Sequence, residues 1–317
     1  MPDAWDYSQP RQSPASNLTQ LPLITTLLCA ACVLVTLASW TSAMLSNPVW
    51  TKIGRVGDID PSDLWSGHWW GLITPFFPHG NIPHIVFNML WLFGMGRLME
   101  ARLNPIVYVL FLAAAAAVGT ASELLVSSST GIGASGVVYA MFGLMYAGWG
   151  RYPEWTSIAT RDNLRIFILW ALFCMATTAL HVLNIANGAH IGGFVFGLSM
   201  GWLLAAPRRQ PIWALALAGL LSVNILALTW QPWSADWTWW KASREYHRAH
   251  YQNSVYWYKR TLAQGSDPHN AGYNLGLAWE GVARDALKHN NPDKAKQARA
   301  QAEQAFTNAG PDTDDNP

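Results

Sequence analysis

One apolar run of this sequence opens with a serine set among glycines, "GIGASGVVYAMFG", Gly131 to Gly143. Two other runs open on histidines: "HGNIPHIVFNML" carries His79, His84 and Asn88, and "ANGAHIGGFVFGLSMG" carries His190. A serine hydroxyl is a weak nucleophile at its own pKa and a strong one beside a histidine base. Taken singly, each run has a plainer reading. Gly133, Ser135 and Gly136 would let two helices touch, His190 would bond a carbonyl, and His84 with Asn88 would bridge two helices. The soluble hydrolase elbow G-x-S-x-G is not met, because position 137 is Val and no strand precedes it. Chemistry can be read from these runs only once they are placed relative to one another.

The elements that must place them are membrane helices. The 317 residues are 51% hydrophobic and 12% charged, against about 25% charged in a typical soluble domain. Residues 104–150 hold one acid, Glu123, and no Lys or Arg, whereas charge gathers in residues 241–317. That asymmetry implies a membrane part and a soluble appendage. Seven segments, near 20–43, 82–100, 104–125, 134–150, 164–183, 188–206 and 211–231, are apolar enough to span a hydrocarbon core. Continuous apolar runs exclude an alternating barrel, so the spans are helices. Trp65, Trp69, Trp70, Trp149, Trp155 and Trp230 fall at or between span ends, the headgroup level that indole rings favour. The first run is too long for a signal peptide and is flanked by Asp3 and Asp6, so an uncleaved span is expected. Cys29, Cys32 and Cys174 lie within spans and read as small hydrophobes despite the C-x-x-C spacing.

Basic residues set the orientation. With the N-terminus in the cytoplasm, the inner segments carry Arg11, Arg97, Arg102, Arg151, Arg161, Arg165, Arg208 and Arg209, and the outer loops only Lys52 and Arg55. The second, fourth and sixth spans then run from outside to inside, and all three polar clusters lie about a turn below the same outer surface. Polar groups inside a membrane are costly, which makes each a functional candidate.

Spacing refines the picture. His84 and Asn88 share a helical face, as do Ser135 and Tyr139. From His190, Gly193, Gly197 and Gly201 form one stripe, which lets a neighbouring backbone approach closely. If the fourth span is that neighbour, Ser135 and His190 come within hydrogen-bonding reach. Asn88, the His84 ring and the Ser135 backbone N–H at a helix start would then serve as oxyanion donors. Tyr139 would hold the imidazole by stacking. No acid lies near a cluster in the sequence, so a Ser–His dyad is expected and not a triad.

These motifs resemble the rhomboid family of intramembrane serine proteases, over about 160–190 residues from "WWGLITPFFPHGNIPHIVFNMLWL" to "GAHIGGFVFGLSMG". The G-x-S-G motif falls on Gly133, Ala134, Ser135 and Gly136, the histidine motif on Ala189, His190 and Gly193, and the H-x-x-x-N pair on His84 and Asn88. The resemblance implies a six-helix core with a water-filled cavity on the outer face, and hydrolysis of transmembrane protein substrates without cofactor or metal. The seventh span matches the added C-terminal helix of a six-plus-one subclass. One departure stands out: the Trp-Arg pair common in the family's first outer loop reads Trp70-Gly71 here.

The expected fold is therefore an all-α polytopic membrane protein, a rhomboid-like six-helix bundle plus a seventh C-terminal transmembrane helix and a small helical soluble tail. The expected divisions are a cytoplasmic segment 1–19, a catalytic membrane domain 20–206, the seventh helix 207–231, an extracytoplasmic appendage 232–310 and a disordered end 311–317. Trp237, Trp240 and Arg244 suggest a segment lying on the membrane surface. His247 and His250 have a metal-compatible spacing but no third ligand. Residues 267–306 read as a helical hairpin turning at Asn291-Pro292. Its Asn274-Leu275-Gly276 and Trp279 resemble a tetratricopeptide unit and suggest a protein partner for the tail. The expected partners are transmembrane substrates and the lipid bilayer, with no nucleic acid, in a bacterial inner membrane. A silent adaptor that binds transmembrane helices is the rival class. A transporter is disfavoured, since no span is broken and no buried acid offers an ion site.

Overall fold

The computed structural model describes residues 21–45, 57, 59–205 and 210–310. The segments 1–19 and 311–317 and the basic residues Lys52, Arg55, Arg208 and Arg209 lie outside the described residues. The chain divides into two compact units, one ending at Thr229 and one beginning at Trp230.

The first unit contains seven long helices among the described residues: α1 Leu23–Leu45, α2 Ile82–Glu100, α3 Pro105–Leu124, α4 Ser135–Gly148, α5 Arg161–Ala179, α6 Asn187–Ala205 and α7 Gln210–Thr229. The chain is an integral, multi-pass membrane protein. Five of the helices (α1, α3, α5, α6 and α7) are long and apolar enough by themselves to cross a membrane. Polar residues dilute α2, which carries His84, Asn88, Arg97 and Glu100. α4 is shorter than the sequence suggests. Its 14 residues span about 21 Å, less than a ~30 Å hydrocarbon core. It can be short because it is central: nearly all of its residues are buried in protein. A helix that is apolar all round belongs in a core.

Local chemistry sets several helix starts. Asn81, Asn104 and Thr160 each turn a side-chain oxygen onto a first-turn amide of α2, α3 and α5, and a proline occupies the first turn of α2 and α3. α1 is capped across the bundle. The Glu100 carboxylate accepts the amides of Ile24 and Thr25 at 2.8 and 2.9 Å. Around α4, Tyr108, Met95, Met141, Phe142 and Met145 fill the core. α5 shows Ile166, Leu169, Trp170 and Phe173 on its surface, an apolar face fitted to lipid.

The connection between α1 and α2 is fixed without the Trp-Arg pair. Its one-turn helix Pro61–Trp65 buries Leu64 against Leu124 and Ala227. The Trp65 indole donates to the Ala227 carbonyl of α7 at 3.3 Å. Gly71 is buried, and a side chain there would collide with Ile59 and Leu64.

The second unit packs α8 Ala235–His247, α9 Tyr251–Ala263, α10 Pro268–Lys288 and α11 Pro292–Ala309 in sequence. The short connections make successive helices antiparallel neighbours. Alanines dominate the seam: Ala278, Ala283, Ala298 and Ala305 are buried beside Leu275 and Val282. The surface-lying segment is corrected here. Trp237 is 3% exposed and meets Trp257 edge-on inside the unit, at 5.2 Å between ring centroids. Trp237 is therefore spent on the unit's own core, while Trp240 and Arg244 stay half-buried. His250 bonds the Glu245 carboxylate at 3.0 Å.

Candidate active site

The Ser135 hydroxyl lies 2.7 Å from Nε2 of His190. Ser135 is the first residue of α4 and His190 sits in the first turn of α6. The approach comes from backbone packing. A Cβ on Gly193 would collide with the Gly136 carbonyl, and one on Gly197 with the Ala140 carbonyl. The glycine stripe read from the sequence is thus the face on which α6 meets α4.

The imidazole is 3% exposed and stacks on Tyr139 at 4.6 Å and 18° between ring planes. Tyr139 is itself tethered, its hydroxyl donating to the Phe167 carbonyl of α5 at 2.9 Å. Among the described residues, Nδ1 of His190 has no hydrogen-bond partner. In these contacts the imidazole meets Ser135 and Tyr139 and no acid.

The segment just ahead of α2 holds the start of α4. Gly133 donates its amide to the Pro75 carbonyl at 2.8 Å, and Ala134 donates to Nε2 of His79 at 3.2 Å. His79 must then carry its proton on Nδ1, which donates to the Phe77 carbonyl at 3.0 Å. Gly133 has a φ of 106°, a left-handed conformation that excludes most side chains. A Cβ there would also lie 2.6 Å from Cε1 and Nε2 of His84. His84 thus borders the loop two residues ahead of Ser135. Gly80 donates its amide to Nδ1 of His84 at 3.4 Å, which leaves the proton on Nε2, the nitrogen facing that loop.

Asn88 is buried one turn below, and its amide donates one hydrogen to the His84 carbonyl at 2.9 Å, leaving a second N–H on the same nitrogen. The Ser135 amide belongs to the first turn of α4, where N–H groups have no acceptor within the helix. A cleft opens beside Ser135, with Thr120, Gly131, Gly133 and Ala186 in its wall.

The structure sets Ser135 and Tyr139 against His190 and places His84, with Asn88 bonded to its carbonyl, beside the Gly133 loop; two further residues bear on the site. His79 is visible in the sequence as part of the α2 cluster, but its grip on Ala134 depends on the fold. The second is a correction. Glu123, at the end of α3, accepts the Ala189 amide at 3.2 Å, so an acid does lie beside the His190 cluster. The signal was a lone ionisable residue in an apolar stretch.

Comparison with known proteins points the same way. Residues 66–207 match the model of the Rhomboid domain family. Rhomboid protease GlpG of Yersinia pseudotuberculosis serotype I (strain IP32953) is 32% identical over 134 residues, 42% of this chain and 47% of that protein. Rhomboid protease GlpG of Serratia proteamaculans (strain 568) is 33% identical over 134 residues, with the same coverage. The chain spans about half the length of the curated relatives it matches. The motifs, the helix order and this match agree: residues 66–207 are a rhomboid domain.

Proposed function

We propose that the protein is an intramembrane serine endopeptidase that cleaves transmembrane protein substrates through Ser135 and His190. The observation that carries this reading is the 2.7 Å contact between the Ser135 hydroxyl and Nε2 of His190, inside the domain that matches the family. Ser135 Oγ attacks the scissile carbonyl while His190 takes its proton. The imidazolium then protonates the leaving amine, and water hydrolyses the acyl-enzyme with His190 again as base. Negative charge on the carbonyl oxygen is met by the Ser135 amide, the His84 Nε2–H and the free Asn88 N–H. Tyr139 fixes the plane of the imidazole, and Gly133, Gly136, Gly193 and Gly197 allow the backbones to come close enough.

The bilayer orientation belongs to the same reading, with the N-terminus cytoplasmic and the tail outside. The helical tail offers a surface for a protein partner. The preponderance of Arg on the proposed inner segments supports this orientation. A protease added to spheroplasts should trim the chain after residue 240 and spare residues 151–163. Digestion of 151–163 instead would invert the topology.

The test of the activity is covalent. A fluorophosphonate probe should label the purified full-length protein at Ser135, and both labelling and cleavage of a transmembrane substrate should vanish in Ser135→Ala. An unlabelled wild-type protein that still binds transmembrane helices would make it an adaptor.

A further inference from the structure

We infer that Glu123 is a positioning residue for His190, acting through the first turn of α6; the inference rests on the dyad reading above. Glu123 is 4% exposed and is the one acid in residues 104–150. Its carboxylate accepts the Ala189 amide at 3.2 Å. Ala189 is the residue before His190, and amides in a helix's first turn lack intrahelical acceptors. Without Glu123 the turn that carries the imidazole would be free to shift by the small distances that matter to a dyad.

The carboxylate is itself held. The turn of α3 that bears it is pinned on both sides of Glu123. Ser122 donates to Oδ1 of Asn224 in α7 at 3.0 Å, and the Asn224 amide donates to the Val118 carbonyl at 3.5 Å. Leu124 is packed with Leu64 and Ala227. The α6 turn sits close against the same backbone: a Cβ on Gly188 would lie 2.5 Å from the Ser122 carbonyl oxygen and 2.9 Å from Cα of Glu123. The seventh helix thus fixes the end of α3, the end of α3 presents Glu123, and Glu123 sets the position of His190.

The experiment compares Glu123→Gln, Glu123→Asp and Gly188→Ala in full-length protein, with kcat, KM and melting read for each. Gln keeps an acceptor oxygen at the same reach, so kcat should stay within threefold of wild type. Asp keeps the charge but withdraws it by one methylene, and kcat should fall roughly 10- to 100-fold, the cost of small misplacements at a reacting centre, with KM unchanged. Gly188→Ala keeps the carboxylate but wedges the α6 turn away from the end of α3, and should lower kcat in the same way. If Asp fails to insert, Gly188→Ala decides. Wild-type kcat in Asp or Gly188→Ala, an effect confined to KM, or a Gln variant as slow as Asp would each overturn the assignment. A wild-type protein that fluorophosphonate does not label at Ser135 would remove the dyad reading and this inference with it. Labelled wild type with an unaffected Asp variant would remove only this inference.

Discussion

Ser135 and His190 stand 55 positions apart in the chain and 2.7 Å apart in space, and the closeness is made by helix backbones in contact. Neither side chain has to reach. The geometry of the proposed dyad is therefore built into the α4–α6 seam, and the pair should act as a unit. Ser135→Ala and His190→Ala should each lose about 10³-fold or more in kcat, with the double variant no worse than either single one. Turnover of a transmembrane substrate by purified variants, matched for insertion, measures this. Substantial turnover in Ser135→Ala would end the serine mechanism.

Asn88 offers a sharper test of the oxyanion assignment. One of its N–H groups is spent on the His84 carbonyl, and the proposed mechanism keeps the other for negative charge as it develops. Removing one such donor costs about 2.7–4 kcal/mol in typical cases, or roughly 100- to 1,000-fold in rate. Asn88→Ala should sit at the lower end of that range, because the Ser135 amide and His84 remain. The loss should fall on kcat. A raised KM with kcat unchanged would make Asn88 a binding residue only.

The parts of this site that were legible in the sequence share one cause. Ser135, His84, Asn88 and His190 are polar in apolar runs, where every polar group is costly, and helical spacing already sorts them onto faces. The glycine stripe at 193 and 197 announces a close approach for the same reason. The rest depends on which helices meet. Glu123 is 67 positions from His190 and lies on a different helix, so spacing cannot connect them. The short α4 reads as a full span because its flanks are apolar too; its burial on all sides is a property of the bundle. Trp237 looked like an interfacial anchor because an indole on an amphipathic helix fits a membrane surface and a protein core equally well.

The tail carries its own pH dependence. The Glu245 carboxylate, 7% exposed, meets Lys241 Nζ at 2.8 Å and His250 Nδ1 at 3.0 Å. Burial would raise its pKa, but hydrogen bonds from Lys241, His250 and Asn253 outweigh that and hold it at about 2, against an ordinary value of 4.5. A depressed carboxylate stabilises the fold fully above its unfolded pKa, and that contribution fades as pH falls through the folded one. Protection of α8 and α9 against hydrogen exchange, corrected for the intrinsic rate, should therefore decline between pH 4.5 and 2. In Glu245→Gln it should be lower at neutral pH and nearly flat across that window. A wild-type profile in the Gln variant would assign the decline to another group.

Gly197 tests the seam that brings the dyad together. Any Cβ at this position collides with the Ala140 carbonyl, a backbone atom that cannot swing aside as the end of a side chain can. By bulk alone an alanine should be milder than a valine, but the obstruction begins at the Cβ that both residues share. Gly197→Ala should already push α6 away from α4 and lower kcat roughly 10- to 100-fold through a displaced His190. Gly197→Val should lose more, and melting should fall in step with activity in both variants. Gly150, past the end of α4, supplies the control: a Cβ there meets nothing within 4 Å. Gly150→Ala should stay within about 0.5 kcal/mol of wild-type stability, as surface substitutions usually do, and keep full turnover. Thermal melting in detergent alongside cleavage of one substrate would read all three variants. Undiminished activity and melting in Gly197→Val would mean that α4 and α6 do not touch at this level, and the contact between Ser135 and His190 would lose its structural basis.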